Sequence, residues 1–335
     1  MRIRFYSAQK YDRQFFDRTN AQYGFTLEFT EPALNADTAR LASDADAVCA
    51  FVNDSADAAC LEQLSNQGVR FLAMRCAGFN NVDLNAAKRL GLQVVRVPAY
   101  SPEAVAEHTM ALILTLNRNT HRAYNRVREG NFNLQGLLGF NLHGRTVGLI
   151  GTGRIGLATA KVLSGFGVRL IGYDMFQNPA FKDLGGQYVD LDTLYATADL
   201  ISLHCPLTSE NHHLINRNSL EKMKDGVMLV NTSRGGLVDT SAVIEALKSG
   251  KVGHLALDVY EQEEDIFFRD LSDEILTDDM LSRLLTFPNV LITGHQGFFT
   301  DEAMTQIAEV TLGNLDAVRR GEPCDNELTG QMDDQ

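Results

Sequence analysis

Short apolar runs alternate with amphipathic stretches along nearly the whole chain. Ile3–Tyr6, Thr26–Phe29, Ala47–Val52, Phe71–Met74 and Gln93–Val97 have the length and residue types of strands. Helical spacing falls between them, near Asp12–Tyr23, Thr38–Leu41, Ala56–Gln67 and Leu84–Leu90. After the Pro98–Pro102 punctuation, one long helical pattern covers Glu103–Glu129. It starts amphipathic, on Ala106, Met110, Ile113 and Leu114, and turns basic with Arg118, Arg122, Arg126 and Arg128. The alternation then resumes. Strands are expected at Val147–Ile150, Val168–Gly172, Leu200–His204, Val227–Asn231, His254–Leu257 and Val290–Thr293. Ser219–Met223, Ala242–Lys248 and Met280–Leu285 are the helices between them, and Glu302–Arg319 is a last one. Such a pattern predicts an α/β chain of two Rossmann-like or flavodoxin-like parallel-sheet domains with a cleft between them.

One stretch carries more than periodicity. The apolar run ending at Ile150 breaks at Gly151-Thr152-Gly153-Arg154-Ile155-Gly156 and opens a helix with Leu157, Ala160, Leu163 and Phe166 on one face. A second strand follows and ends at Tyr173-Asp174. In this context Gly151 permits the tight turn, Gly153 lets the backbone approach a pyrophosphate, and Gly156 lets helix and strand pack closely. Helix N-terminal amides complete the phosphate site. Asp174 is placed for the ribose hydroxyls; its charge opposes a 2′-phosphate, and Met175 and Phe176 bring no cation, so the expected cofactor is NAD rather than NADP. The boundaries expected are 1–99 plus 297–335 for a discontinuous substrate domain and 100–296 for the NAD-binding domain.

Two pairs of segments resemble one another. DADAVCAFVND (44–54) is similar to TADLISLHCPL (197–207), and FLAMRCAGFNNVD (71–83) to VMLVNTSRGGLVD (227–239), as two related strand–turn–helix units would be.

Composition narrows the partners. A net charge of −13 argues against nucleic acid and against an anionic membrane surface. The 5 cysteines are scattered without CxxC spacing, which fits a reducing cytoplasm and no zinc site, and no metal is expected. No apolar run reaches the length of a membrane span.

Reducing a 2-oxo acid with a nicotinamide requires a cation for the carboxylate and carbonyl, a proton donor, and a group that keeps the donor protonated. Arg234, Glu263 and His295 each lie in a loop just past an expected strand, at the edge where such sheets bind ligands. Glu264 is adjacent to Glu263 and is the alternative acid. The remaining histidines, His108 among them, read as ordinary surface or core residues, and Cys205 as a small apolar residue.

Together these segments resemble the D-isomer-specific 2-hydroxyacid dehydrogenases, and within that family its fermentative lactate branch. The resemblance runs through RCAGFNNVDL (75–84), VPAYSPEAVAEHT (97–109), the glycine motif, ISLHCPLTSEN (201–211), VNTSRGGLVD (230–239), DVYEQE (258–263) and TGHQGFFT (293–300). It implies that Arg234, Glu263 and His295 are the catalytic arginine, acid and proton donor. It also implies that Ala77, Gly78, Tyr100, Arg234 and Phe298 meet the substrate. Gly151, Gly153, Arg154, Ile155, Gly156, Asp174, Cys205, Pro206, Asn211, Thr232, Ser233, Arg234 and Asp258 would meet the cofactor. Gly294 stands where many members carry proline, and Cys76 where some have asparagine. The implied reaction is reduction of pyruvate to D-lactate with NADH, in a cytoplasmic homodimer or homotetramer whose interface uses the helix after Tyr100. A sibling acting on hydroxypyruvate, glyoxylate or phenylpyruvate, and an NAD-sensing interaction protein, are the rival readings. Formate dehydrogenases share the fold but do not need the acid partner.

Overall fold

The computed structural model describes residues 1–330; residues 331–335, assigned above to the substrate domain, lie outside the described residues. The chain divides into two compact units, Met1–Ser101 with Phe299–Gln335, and Pro102–Phe298.

In the first unit the strands are β1 (Arg2–Phe5), β2 (Thr26–Phe29), β3 (Ala47–Ala50), β4 (Phe71–Met74) and β5 (Gln93–Arg96). They form one parallel sheet in the order β2-β1-β3-β4-β5. Every residue of β3 and β4 is buried, as expected of strands covered on both faces. Its helices are α1 (Lys10–Asn20), α2 (Ala58–Asn66) and α3 (Leu84–Arg89). The expected helix at Thr38–Leu41 is a single 3₁₀ turn, Ala39–Ala42.

In the second unit, α4 (Pro102–Arg118) and α5 (Thr120–Arg128) replace the single long helix expected over 103–129. Asn119 breaks it in the left-handed conformation, φ 51°. Asn117 fixes the break by exchanging side-chain hydrogen bonds of 2.8 Å with the backbone of Phe140. Then come β6 (Thr146–Ile150), α6 (Arg154–Ser164), β7 (Arg169–Tyr173), α7 (Pro179–Asp183), β8 (Gln187–Tyr188), α8 (Leu191–Thr197) and β9 (Leu200–Leu203). After these lie α9 (Arg217–Lys222), β10 (Val227–Asn231), α10 (Thr240–Ser249), β11 (Val252–Leu257), α11 (Asp279–Leu285) and β12 (Val290–Ile292). The 7-stranded sheet runs β12-β11-β10-β9-β6-β7-β8, all parallel, with its strand order reversing between β6 and β9. Ligands bind such sheets at the carboxyl ends beside that reversal.

The last helix, α12 (Asp301–Arg320), belongs to the first unit. Arg18 donates to Thr305 Oγ1 at 2.5 Å and Asn314 to the Arg96 carbonyl at 2.8 Å, fastening it there. Part of the acidic excess serves as helix caps. Asp57, Asp83, Asp190, Asp239 and Asp278 each accept from a backbone amide in the first turn of the helix that follows. Among the described residues, no helix is long and apolar enough to cross a membrane.

Candidate active site

Strand β6 ends at Ile150, and the chain turns at Gly151 with φ 97°. A Cβ there would lie 2.5 Å from the His204 carbonyl carbon, so both the conformation and the space demand glycine. A Cβ on Gly156 would lie 2.1 Å from the Gly151 carbonyl oxygen, which closes α6 onto the turn. Gly153, the N-cap of α6, differs: among the described residues, none apart from its two chain neighbours comes within 4 Å of where a Cβ would stand. The protein itself explains the first and third glycines and leaves the second facing open space, as a cradle for a pyrophosphate requires. Arg154 is exposed and Ile155 half-buried beside it.

Asp174 closes the other end of this turn. Its Oδ2 accepts from the Thr152 amide at 2.6 Å and the Thr152 hydroxyl at 3.2 Å, and its Oδ1 from the Phe176 amide at 3.0 Å. Met175 and Phe176 stand exposed next to it, and neither brings a positive charge. These groups fit an adenosine ribose without a 2′-phosphate.

Across the reversal, β9 leads into His204, Cys205 and Pro206. Asn211 turns back to donate to the Pro206 carbonyl at 2.7 Å. Burial pushes the Cys205 thiol up to about 11, so it stays protonated and acts as an apolar contact rather than a nucleophile. Burial also drives His204 down to about 4.

Strand β10 delivers Thr232, Ser233 and Arg234. The buried Asn231 side chain shapes the turn, accepting from the Ser233 amide at 3.0 Å and donating to the Arg234 carbonyl at 2.8 Å. Ser233 Oγ donates to the Cys205 carbonyl at 2.5 Å and Thr232 Oγ1 lies 2.9 Å from Thr109 Oγ1, so three segments are tied together. A Cβ on Gly235 would sit 2.1 Å from the Tyr260 carbonyl, and that close approach brings the Arg234 turn against the loop after β11.

That loop carries Asp258 and Glu263. Glu263 Oε1 lies 2.6 Å from His295 Nδ1, and its Oε2 accepts from the Tyr260 amide at 2.8 Å. Glu264 is exposed, which leaves Glu263 as the acid at the histidine. His295 is in the left-handed region, φ 53°, and its amide donates to the Asp258 carbonyl at 2.7 Å. A strained residue held by two fixed bonds is a preorganised side chain. The preceding Gly294 is exposed with open space at its Cβ, so no contact there depends on glycine.

Two further residues neighbour this centre. His108, read above as an ordinary surface or core histidine, points Nε2 at Asp258 Oδ1 (3.1 Å) and Thr293 Oγ1 (3.2 Å). Burial works to raise the Asp258 carboxyl. Hydrogen bonds from His108, Thr293 and the Gln296 amide outweigh it and hold the group below the usual carboxylate range. The available signal was a polar pair, His108 and Thr109, interrupting an apolar helix. The second neighbour is Phe268, whose ring centroid lies 5.8 Å from His295 and 6.5 Å from Phe298. Within the acidic segment 261–279 that carries it, Ile266 and Phe268 pack against the core of this unit and Phe267 lies in it.

Ala77, Gly78 and Tyr100 lie in the first unit. Ala77 and Gly78 follow β4, where Arg96 donates to the Ala77 carbonyl at 3.0 Å and Cys76 Sγ lies 3.2 Å from the Gly78 carbonyl. Tyr100 is half-buried just before α4.

A dinucleotide-type turn, with an arginine and an acid–histidine pair on successive strand ends of the same sheet, defines an NAD-dependent dehydrogenase. Residues 110–297 match the family described as D-isomer specific 2-hydroxyacid dehydrogenase, NAD binding domain, and the chain belongs to that family. It is 57% identical over 326 residues to a 2-hydroxyacid dehydrogenase homolog of Haemophilus influenzae, covering 97% of this chain and 98% of that one. It is 53% identical over 328 residues to the D-lactate dehydrogenase of Escherichia coli, covering 98% and 100%. The solved apo-structure of D-lactate dehydrogenase from Escherichia coli superposes with a TM-score of 0.91 at 51% identity, covering 98% of this chain and 100% of that one.

Proposed function

We propose that this chain reduces pyruvate to D-lactate with NADH, regenerating NAD in the cytoplasm of a fermenting cell. The observation that carries this reading is the Glu263–His295 pair at 2.6 Å, with Arg234 presented by the neighbouring strand end. The relatives named D-lactate dehydrogenase support the choice of substrate.

NADH, when bound, supplies the hydride that reaches C2 of the substrate. The protein does the rest. Arg234 pairs its guanidinium with the substrate carboxylate and the C2 oxygen, a fork that also stabilises negative charge growing on that oxygen. Glu263 accepts from Nδ1 of His295, which fixes the ring and leaves Nε2 to donate a proton to the C2 oxygen. Phe298 and Phe268 line an apolar wall that suits a methyl group. Asp258, steadied by His108, Thr293 and the amides of Gln296 and Gly297, serves the nicotinamide side.

We further propose a homodimer or homotetramer. No residue of α5 is buried, and Phe132, Leu134 and Leu138 are 74%, 80% and 93% exposed in the segment that follows it. A run of large apolar side chains this exposed marks an association surface.

The test is NADH oxidation with pyruvate, hydroxypyruvate, glyoxylate and phenylpyruvate, with the product's chirality determined. Preference for pyruvate with D-lactate as product is expected. Preference for another acid would move the chain to a sibling activity, and tight NADH binding without turnover would favour a sensor.

A further inference from the structure

Away from the groups used above, three metal-ligating side chains converge. We propose that His212, His213 and Glu261 form a binding site for one divalent transition-metal ion of the zinc class. Their candidate ligand atoms all lie within 4.8 Å of one another. His213 Nε2 is already hydrogen-bonded to Glu261 Oε1, and the rings of His212 and His213 stack with centroids 3.9 Å apart and planes 29° apart.

Local backbone geometry produces this convergence. Side chains of successive residues in an extended segment point to opposite sides. His213 instead adopts φ 54°, and this left-handed turn brings two consecutive imidazoles to one side of the chain. The conformation is locked, because the His213 amide donates to the Gly236 carbonyl at 2.8 Å. Glu261 is likewise oriented before any ion arrives. Its Oε2 accepts from Thr240 Oγ1 at 3.0 Å and the Thr240 amide at 3.4 Å, leaving Oε1 for the histidines. An outer partner that aims a ligand in this way is characteristic of metal centres.

The donor set selects the ion. Two imidazoles and one carboxylate suit zinc and its first-row neighbours, whereas magnesium and calcium favour oxygen alone. Three protein ligands leave one tetrahedral position for water, and His212 is exposed, so solvent reaches that side. Zinc–nitrogen distances of about 2.0–2.1 Å require the ligand atoms to draw closer than they stand and the stacked imidazoles to turn toward a common point. The ion takes the place of the hydrogen bond between His213 and Glu261.

The position gives the site a consequence. Glu261 lies two residues before Glu263, and Gly236, held by His213, lies two residues after Arg234. A bound ion clasps the loop after β11, on which the proposed catalytic acid stands, to the segment after β9, whose His213 amide in turn holds the Gly236 carbonyl beside the proposed arginine.

Calorimetric titration of the full-length, chelator-treated protein with zinc chloride tests this, paired with cobalt(II) absorption to identify the ligands. One equivalent should bind, and the cobalt spectrum should show tetrahedral nitrogen and oxygen ligation without a sulfur charge-transfer band. His212→Ala should weaken zinc binding by about 100-fold or more, since loss even of an outer partner costs 10–100-fold. His212 is exposed and makes no proposed substrate or cofactor contact, so this variant should bind NADH as the parent does. Glu261→Gln should weaken zinc binding as well. Absence of stoichiometric binding, a thiolate band, or affinity unchanged in His212→Ala would each overturn the proposal.

Discussion

The two sheets have the same frame and different contents. The first sheet runs β2-β1-β3-β4-β5, and the central five strands of the second, β7-β6-β9-β10-β11, repeat that arrangement with β8 added beyond β7 and β12 beyond β11. The paired sequence segments fall on equivalent strands, β3 with β9 and β4 with β10. In both, a residue with positive φ follows the first strand, Ser7 at 48° and Gly151 at 97°. What stands above the strand ends differs. In the first unit the space is filled by the protein's own charges: buried Arg75 donates to the Ser7 carbonyl at 2.9 Å and lies 3.5 Å from Asp12. Asp54, also buried, accepts from Ser7 Oγ and from the amides of Leu34 and Phe51. In the second unit the corresponding space is lined by glycine and the first-turn amides of α6. One frame therefore closes on an internal ion cluster and the other stays open for an anion, so loop chemistry and not strand order decides which sheet takes the cofactor.

The largest effect on stability should come from breaking the closed side. Arg75→Met leaves Asp12 and Asp54 buried without their cation, and should cost about 3–5 kcal/mol in denaturant unfolding monitored on the first unit. A loss below about 1 kcal/mol would mean that the cluster is solvated rather than internal. On the open side, Gly151→Ala combines left-handed strain with overlap on the His204 backbone, and should cost about 2–4 kcal/mol together with NADH binding. The non-glycine residue at Ser7 shows that positive φ alone is tolerated; crowding at Gly151 makes the difference.

Smaller effects sharpen the account of the open side. Asp174→Ser removes the charge opposing a 2′-phosphate and should shift the NADH/NADPH preference toward NADPH by about tenfold, read as the ratio of kcat/KM values. An unchanged ratio would show that discrimination lies elsewhere. His204, capping β9 beneath Gly151, gives a pH signature. Its folded pKa is about 4 because of burial, below the unfolded value of 6.5, so the unfolded chain binds the proton first. Stability from this group is complete above the unfolded value and is lost as pH falls toward the folded one, by up to about 3 kcal/mol. Unfolding free energies at neutral and acid pH should therefore differ less in His204→Gln than in the parent.

Much of this was legible in the sequence because its signals are local. Apolar runs located the strands of both sheets, and the glycine motif with Asp174 marked the cofactor turn. The short β8 and helices α7 and α8 were not read, since a two-residue strand leaves no period to detect. The break at Asn119 escaped for a different reason: helical spacing continues across it, and only the exchange with Phe140, distant in sequence, reveals it. Spacing placed Arg234, Glu263 and His295 on strand ends, yet left Glu263 and Glu264 unresolved until the bond to His295 was seen. His108 and the metal-ligating trio depend on contacts between far-apart segments, to which periodicity is blind.

The central claim is that His295 is the proton donor at the open sheet, and one experiment addresses it most directly. NADH affinity by fluorescence titration and pyruvate turnover would be measured side by side for the parent and His295→Gln. Unchanged NADH affinity with kcat lowered by about 10²–10⁴-fold is the expected result. Turnover within a few-fold of the parent would contradict it.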